Sequence, residues 1–343
     1  MGDFDEMRRL ISLGNEYATF GSFAGTNKWF GGVLAPNGKI YGTPFESNSV
    51  LEIDPLTDTA LTFGSLSGTS KWAGGVLAPN GKIYSLPRNS GVILEIDPVA
   101  QTTNTFGVVT GLNNWIGGVL APNGKIYGIP FNSTTILEID PVAQTTATFG
   151  SLSGSSKWYG GVLAPNGKIY GIPLNSTTIL EIDPVAQTTA TFGSLSGTSK
   201  WAGGVLAPNG KIYGIPFNST TILEIDPVAQ TTNTFGSLSG TSKWTGGVLA
   251  PNGKIYGIPN QSDKILEIDP VAQTTATFGS FSTDSKWVGG VLAPNGKIYG
   301  IPAISTSILK ISGIGTIEPE MYTQPSPISG ISTSVYNRHQ NKY

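Results

Sequence analysis

Cysteine is absent from the 343 residues, which excludes disulfides, thiol nucleophiles, zinc knuckles and iron–sulfur ligation. Histidine occurs once, at His339 near the C-terminus. Charge is scarce too: Asp, Glu, Lys and Arg make up 12% of the chain, against roughly 25% in an average soluble domain. With 20 bases and 22 acids the net charge is −2, so nucleic acid is not an expected partner. No apolar run is long enough to span a bilayer, and no membrane span is expected. The start, Met1-Gly2-Asp3-Phe4-Asp5-Glu6, lacks the basic and apolar regions of a secretory signal, so synthesis in the cytoplasm without export is the expectation. What is plentiful is turn chemistry and apolar bulk. The chain has 46 Gly and 23 Pro, with 14 Phe, 12 Tyr and 7 Trp, enough for a packed core.

A repeat dominates. Gly-Gly-Val-Leu-Ala-Pro-Asn-Gly-Lys-Ile-Tyr begins at Gly31, Gly74, Gly117, Gly160, Gly203, Gly246 and Gly289, seven copies in steps of 43 without an insertion. Each copy holds four short β-prone runs. In the fourth they are 160–164, 168–172, 179–183 and 189–195, parted by Pro165-Asn166-Gly167 and by a turn starting at Asp183-Pro184. No helical period appears, so the unit reads as one propeller blade. The ends decide between an open stack and a ring. A run of the fourth type, 17–23, precedes the first copy, while the last copy stops after its third run at 308–311. The N-terminal run should therefore complete the seventh blade, leaving no open edge. The expected architecture is all-β: a seven-bladed β-propeller over 16–314, with an extension over 1–15 and an extended tail over 315–343. Residues 3–13 pattern as a brief amphipathic helix.

The connections leaving the second and fourth strands of a blade share one face, here the top. It should carry Lys28, Lys71, Lys157, Lys200, Lys243 and Lys286, each followed by one of Trp29, Trp72, Trp158, Trp201, Trp244 and Trp287; in the third copy Asn114 precedes Trp115. With Arg88 and Lys264 the top counts eight cations against Glu46, Asp263 and Asp284, so it should be electropositive. The Trp rings offer stacking faces to sugars, or wedges between blades. The lysines are anion ligands, or solvated turn residues. Glu52-Ile53-Asp54 and its counterparts pair carboxylates, but the seventh copy has Lys310 and Ser312 there, which points to a structural use and to no metal or cofactor. Variation concentrates after the Trp (Phe30, Ala73, Ile116, Tyr159, Ala202, Thr245, Val288) and after the second-run Pro (Phe45, Arg88, Phe131, Leu174, Phe217, Asn260, Ala303). These positions adjoin at the top of each blade, through relaxed constraint or through tuning for contact.

Pro-Asn-Gly-Lys-Ile-Tyr followed by Ile-Leu-Glu-Ile-Asp-Pro resembles the blades of virginiamycin B lyase and NHL-type propellers. That resemblance implies the fold. It does not bring the lyases' His and Glu around a metal, because no His stands in the array. The Trp and Asn-Gly-Lys-Ile-Tyr-Gly order also resembles the tachylectin lectins, which bind amino sugars between blades, and the uniformity of the array is similar in style to phage-encoded propellers. Twelve of the 22 acids belong to the repeat, and no asymmetric acid–base constellation is visible, so the chain is not expected to be an enzyme. The expectation is a structural or lectin-like propeller, part of a virion or other assembly, presenting repeated glycan or protein sites on its Trp, Lys and Arg88 side chains. Its termini should dock on other protein subunits through Met321, Tyr322, Ile328, Tyr336 and Tyr343. The competing expectation is a lyase- or lactonase-like enzyme with its site in the central channel.

Overall fold

The computed structural model describes residues 15–282 and 286–315. The expected helix over 3–13 and the docking residues Met321, Tyr322, Ile328, Tyr336 and Tyr343 lie outside the described residues. Those described form seven four-stranded antiparallel sheets. Blade four is representative: Trp158–Leu163, Ile169–Pro173, Ile179–Asp183 and Thr188–Phe192. Its inner strand begins two residues before the Gly pair, because Trp158 pairs with Pro173 and a bulge between Trp158 and Gly161 absorbs the extra residue. The hairpin after it follows Asn-Gly chemistry. In blade one, Gly38 takes φ +78°, and the Asn37 side chain accepts a hydrogen bond from the Lys39 amide at 3.1 Å.

The ring closes as the strand count predicts. Glu16–Phe20 pairs antiparallel with Ile308–Ser312, Glu16 opposite Ser312 and Phe20 opposite Ile308, and so supplies the outer strand of blade seven. At the centre the inner strands meet through glycine. Gly31 and its six equivalents all have positive φ, between 75° and 85°. A Cβ on Gly74 would lie 2.9 Å from the Cα of Gly117, and one on Gly289 would lie 3.2 Å from the Cα of Gly31, so the contact runs round the whole ring.

The core lies between blades. One cluster joins Val291, Ala293, Tyr299 and Ile301 of blade seven to Trp29, Ile40, Leu51 and Ile53 of blade one, the same composition as at the other junctions. Below this apolar layer a polar latch crosses each junction. The Tyr41 hydroxyl donates to Glu52 within blade one and is also within 3.0 Å of the Pro98 carbonyl of blade two. Lys39 binds Glu52 at 2.5 Å, and Gln101 of blade two donates to the same carboxylate at 2.9 Å. Burial works against charge on Glu52, but hydrogen bonds from Lys39, Gln101 and Tyr41 prevail and hold its carboxyl below the usual range. The Glu–Asp pairs thus serve the fold, the Glu in the latch and the Asp capping the turn that follows, as Asp183 does for the amides of Val185 and Ala186.

Two latches differ. Between blades six and seven, Asn15 takes the place of Gln and donates to Glu267. Between blades seven and one the polarity is exchanged: Lys310 stands where the other copies have Glu, and it binds Asp58 at 2.5 Å where they have Gln. Tyr299 donates to the same Asp58 at 3.0 Å. We predict that Lys310→Glu, which sets two carboxylates against each other, lowers stability by about 1–2 kcal/mol, and that adding Asp58→Gln restores it. Denaturant unfolding of both single variants and the double variant measures this; additive losses would remove the pair from the closure.

The latch tyrosines carry a pH signature. Burial pushes the phenols of Tyr84, Tyr127, Tyr170, Tyr213, Tyr256 and Tyr299 up to about 12 from the ordinary 10.0 of a phenol. Above pH 10 the unfolded chain has lost these protons while the folded chain keeps them, so stability falls as pH rises through 10 to 12. Absorbance at 295 nm, followed with circular dichroism, should show these tyrosines ionising only above the ordinary phenol range. Complete ionisation near pH 10 with the fold intact would contradict the latch.

Candidate functional site

The top face is not the cationic surface that the sequence suggests. Lys28, Lys71, Lys157, Lys200, Lys243 and Lys286 are only 3–5% exposed. Each side chain turns inward as a cap on carbonyl groups. Lys200 donates to Leu174, Ser176 and Gly197 carbonyls at 3.0, 2.8 and 2.9 Å, and Lys243 to Phe217, Ser219 and Gly240 at 3.2, 2.8 and 2.9 Å. Burial lowers the ammonium pKa values of Lys28, Lys71, Lys157, Lys200 and Lys243, the last to about 8. The reason for the burial is local: the loop before each inner strand packs on the second loop of the preceding blade, and the lysine side chain bridges carbonyls of both loops. In blade three Asn114 does part of this work, donating to the Thr110 carbonyl at 2.5 Å.

The tryptophans are equally enclosed. Trp29, Trp72, Trp115, Trp158, Trp201, Trp244 and Trp287 are 2–4% exposed. Each indole N–H donates to a carbonyl of its own blade's second loop, as Trp29 does to Ser49 at 2.8 Å and Trp158 to Thr178 at 2.9 Å. A ring so buried stabilises by roughly 4–6 kcal/mol on area alone. The wedge reading describes this geometry, although Trp29, Trp115 and Trp158 each border a groove on the top face.

What the top does expose is a set of grooves at blade junctions. Equivalent ones open at blades one, three and four, with volumes of about 460, 560 and 470 Å³. The blade-four groove is walled mainly by hydroxyls and an amide, among them Ser153, Asn175, Thr177 and Thr191, with the capped Lys157 and the edge of Trp158 also in its lining. Serine and threonine there are also turn formers, as where the Ser176 hydroxyl accepts from the Thr178 amide at 3.1 Å. Sequence reasoning passed over these residues because each is unremarkable alone.

The variable positions converge on the axis. Phe30 and Tyr159, from blades one and four, bring their ring centroids within 6.0 Å of each other across the channel. Phe45 packs on Phe30 at 5.4 Å and Phe131 on Tyr159 at 6.4 Å. Arg88 of blade two projects among them, its guanidinium carbon 5.0 Å from the Phe45 centroid, 5.9 Å from Phe30 and 6.0 Å from Phe131. Its Nε donates to Asn113 at 2.7 Å. Burial pulls the guanidinium's pKa down, opposed by Tyr159 and Glu46, and burial pushes the Tyr159 phenol up, opposed by Arg88. Of the side chains expected to meet a ligand, Arg88 is the one that reaches the channel mouth.

No family model matches the chain, and no curated protein matches it. Solved structures do. Virginiamycin B lyase from Staphylococcus aureus superposes with a TM-score of 0.76 at 12% identity, over 87% of this chain and 99% of that one. The extracellular domain of a putative one-component system from B. thetaiotaomicron gives 0.66 at 12%, over 87% of this chain but 42% of that one. Kuenenia stuttgartiensis hydrazine synthase gives 0.69 at 13%, over 85% and 98%. These identities show the fold, a seven-bladed propeller of the virginiamycin B lyase type. They also correct the expectation that the chain is not an enzyme: structures so similar include enzymes, and the scarcity of acid–base residues in the repeat does not outweigh that. The fold serves catalysis in the lyase and is found in an extracellular domain as well.

The capping lysines yield a direct test. Lys200→Met removes the ammonium shared by the Leu174, Ser176 and Gly197 carbonyls and should lower unfolding stability by about 1–3 kcal/mol. A variant as stable as the parent in denaturant titration would return Lys200 to the surface.

Proposed function

We propose that the protein is a recognition propeller that binds glycan chains at its top-face junction grooves and is held in a larger assembly by its opposite face. One observation carries the reading: grooves of similar build, lined mainly by Ser, Thr and Asn side chains beside a Trp of the blade, recur at blades one, three and four, the first also carrying Glu46. Hydroxyls and amides both donate and accept, and they match the hydrogen-bonding edge of a sugar without requiring charge. Each groove is shallow, so a single site binds weakly. Sites repeated round a rigid ring gain by multivalency when the ligand is itself repetitive. The capped lysines make the ligand a neutral glycan rather than an anionic one.

The orientation follows from where the described chain ends. Asn15 is hydrogen-bonded to Glu267 and close to Tyr256, and Gly315 abuts Asn252. All three partners belong to the bottom of blade six, so Asn15 and Gly315 both lie on the side opposite the grooves. Virion, tail or other particle partners would engage that side. The reading concerns binding and is compatible with chemistry elsewhere on a fold that also carries lyases.

A glycan array probed with the full chain should give neutral oligosaccharide hits that survive raised salt, since hydroxyls and amides supply most of the contacts and the groove lysines are capped. Asn175→Ala with Thr177→Ala, which strips one groove, should weaken binding to multivalent glycan while leaving the melting temperature within a few degrees. An array without hits, or hits abolished by moderate salt, would overturn the reading.

A further inference from the structure

We propose that the top mouth of the central channel is a separate binding site, built for a small aryl carboxylate whose carboxylate pairs with Arg88. The site is distinct from the junction grooves in chemistry and in number, one per ring rather than one at each of several blades, and only Glu46 borders both.

The first ground is the state of the guanidinium. Nε is the one Arg88 nitrogen hydrogen-bonded within the protein among the described residues, to Asn113. Arg88 has no carboxylate within ion-pair distance there. The two terminal nitrogens therefore present parallel N–H groups with no protein acceptor, the fork that a carboxylate engages through both oxygens. Three phenylalanine rings surround the group within 6.0 Å of their centroids, which keeps water sparse and strengthens a charge pair formed there.

Charge fixes the ligand class. The top-face ammonium groups are turned into carbonyl caps, so Arg88 stands as a single positive charge at the mouth. Glu46, on the loop beside it, is tied to the Ser70 amide and hydroxyl at 3.0 and 2.8 Å and adds a negative field. A monoanion is matched by this arrangement; a phosphate dianion would meet one cation and a nearby carboxylate. The body of the ligand follows from the walls. Phe30 and Phe45 lie at 36° to each other, Phe30 and Tyr159 at 44°, and Phe131 and Tyr159 at 80°; these rings already touch, so a ligand ring would pack on the half-buried outer sides of Phe30, Phe131 and Tyr159 rather than between them.

The opposite arc supplies a second ground. At the positions equivalent to Phe30 and Tyr159, blades five to seven carry Ala202, Thr245 and Val288, so the mouth is crowded on one side and lined by small residues on the other. Thr245 is 3% exposed, and its hydroxyl is the one buried side-chain polar atom without a hydrogen-bond partner among the described residues. A buried hydroxyl without a partner on this ring marks a polar contact that the protein itself does not complete.

The probe is phenylacetate, with phenylacetamide as its neutral counterpart, titrated calorimetrically into the full chain. Phenylacetate should bind saturably at one site per chain, and phenylacetamide roughly tenfold or more weaker, because the fork then faces no charge. Arg88→Gln should lose binding by a similar factor, while Asn175→Ala in the groove should leave it unchanged. Should Arg88→Gln fail to fold, Arg88→Lys decides: it keeps the charge but not the fork, and should bind several-fold more weakly than the parent. Absence of saturable phenylacetate binding at millimolar concentration, equal affinity for acid and amide, or an Arg88→Lys protein that binds as the parent does would each overturn the site. A stoichiometry of several per chain would assign the acid to the grooves instead and overturn it too.

Discussion

The approach of neighbouring inner strands through glycine sets the geometry on which everything else rests. A side chain on Gly74 would begin 2.9 Å from the backbone of the next blade, so the inner strands stand as near as main chains can. That spacing leaves the tryptophan and isoleucine layers outside it one way to fill the wedge between blades. It also accounts for the lack of insertions in the array: the inner strand and its hairpin serve every junction at once, and a length change in one copy would break two contacts. The same constraint makes the channel rim rigid. Phe30, Tyr159 and their equivalents each directly precede a ring glycine, so their positions are fixed by the backbone and only their chemistry varies.

Near-identical blades create a problem of registry, since any blade surface fits any other. The latch resolves it at the closing junction alone. Six copies carry Glu on the third strand and the seventh carries Lys310, whose partner Asp58 stands in the turn before the outer strand of blade one, where the other complete copies have Gln. The pair is partly exposed and adds little net stability by itself. Its effect is selective: Lys310 against a Gln, or Asp58 against a Glu, leaves a charge unmatched in a half-buried latch. With the N-terminal strand seated on Ile308–Ser312, it favours closure at seven blades over the open or swapped arrangements that a uniform array invites.

Much of this was legible in the chain. The period, the four runs per copy and the stray fourth run at the N-terminus led to the ring, and the strand boundaries moved by only a few residues, mainly where Trp158 extended the inner strand across a bulge. The functional surface was less legible, for a definite reason. Sequence shows that Lys200 carries a charge but not that carbonyls of Leu174, Ser176 and Gly197 surround it. A lysine beside a tryptophan in a turn reads as surface when the loop's unmet hydrogen bonds are invisible. The channel cluster was half visible: both variable positions stood out, but Phe30, Phe45, Arg88, Phe131 and Tyr159 are spread over four copies, and only the ring brings them together.

A propeller of equal blades has a symmetry that limits what it can recognise. Sites repeated at each junction suit a repetitive ligand, and uniform copies preserve that match. The axis is different, because every blade contributes there to one common space, and a single ligand cannot present seven equal sides. Recognition at the axis therefore requires the symmetry to be broken in the residues that face it. In this chain the departures from repetition are largest at those two positions, where bulky rings and the one arginine of the array meet small side chains across the mouth. The uniform part of the sequence builds the ring and its grooves, and the irregular part gives the channel a direction.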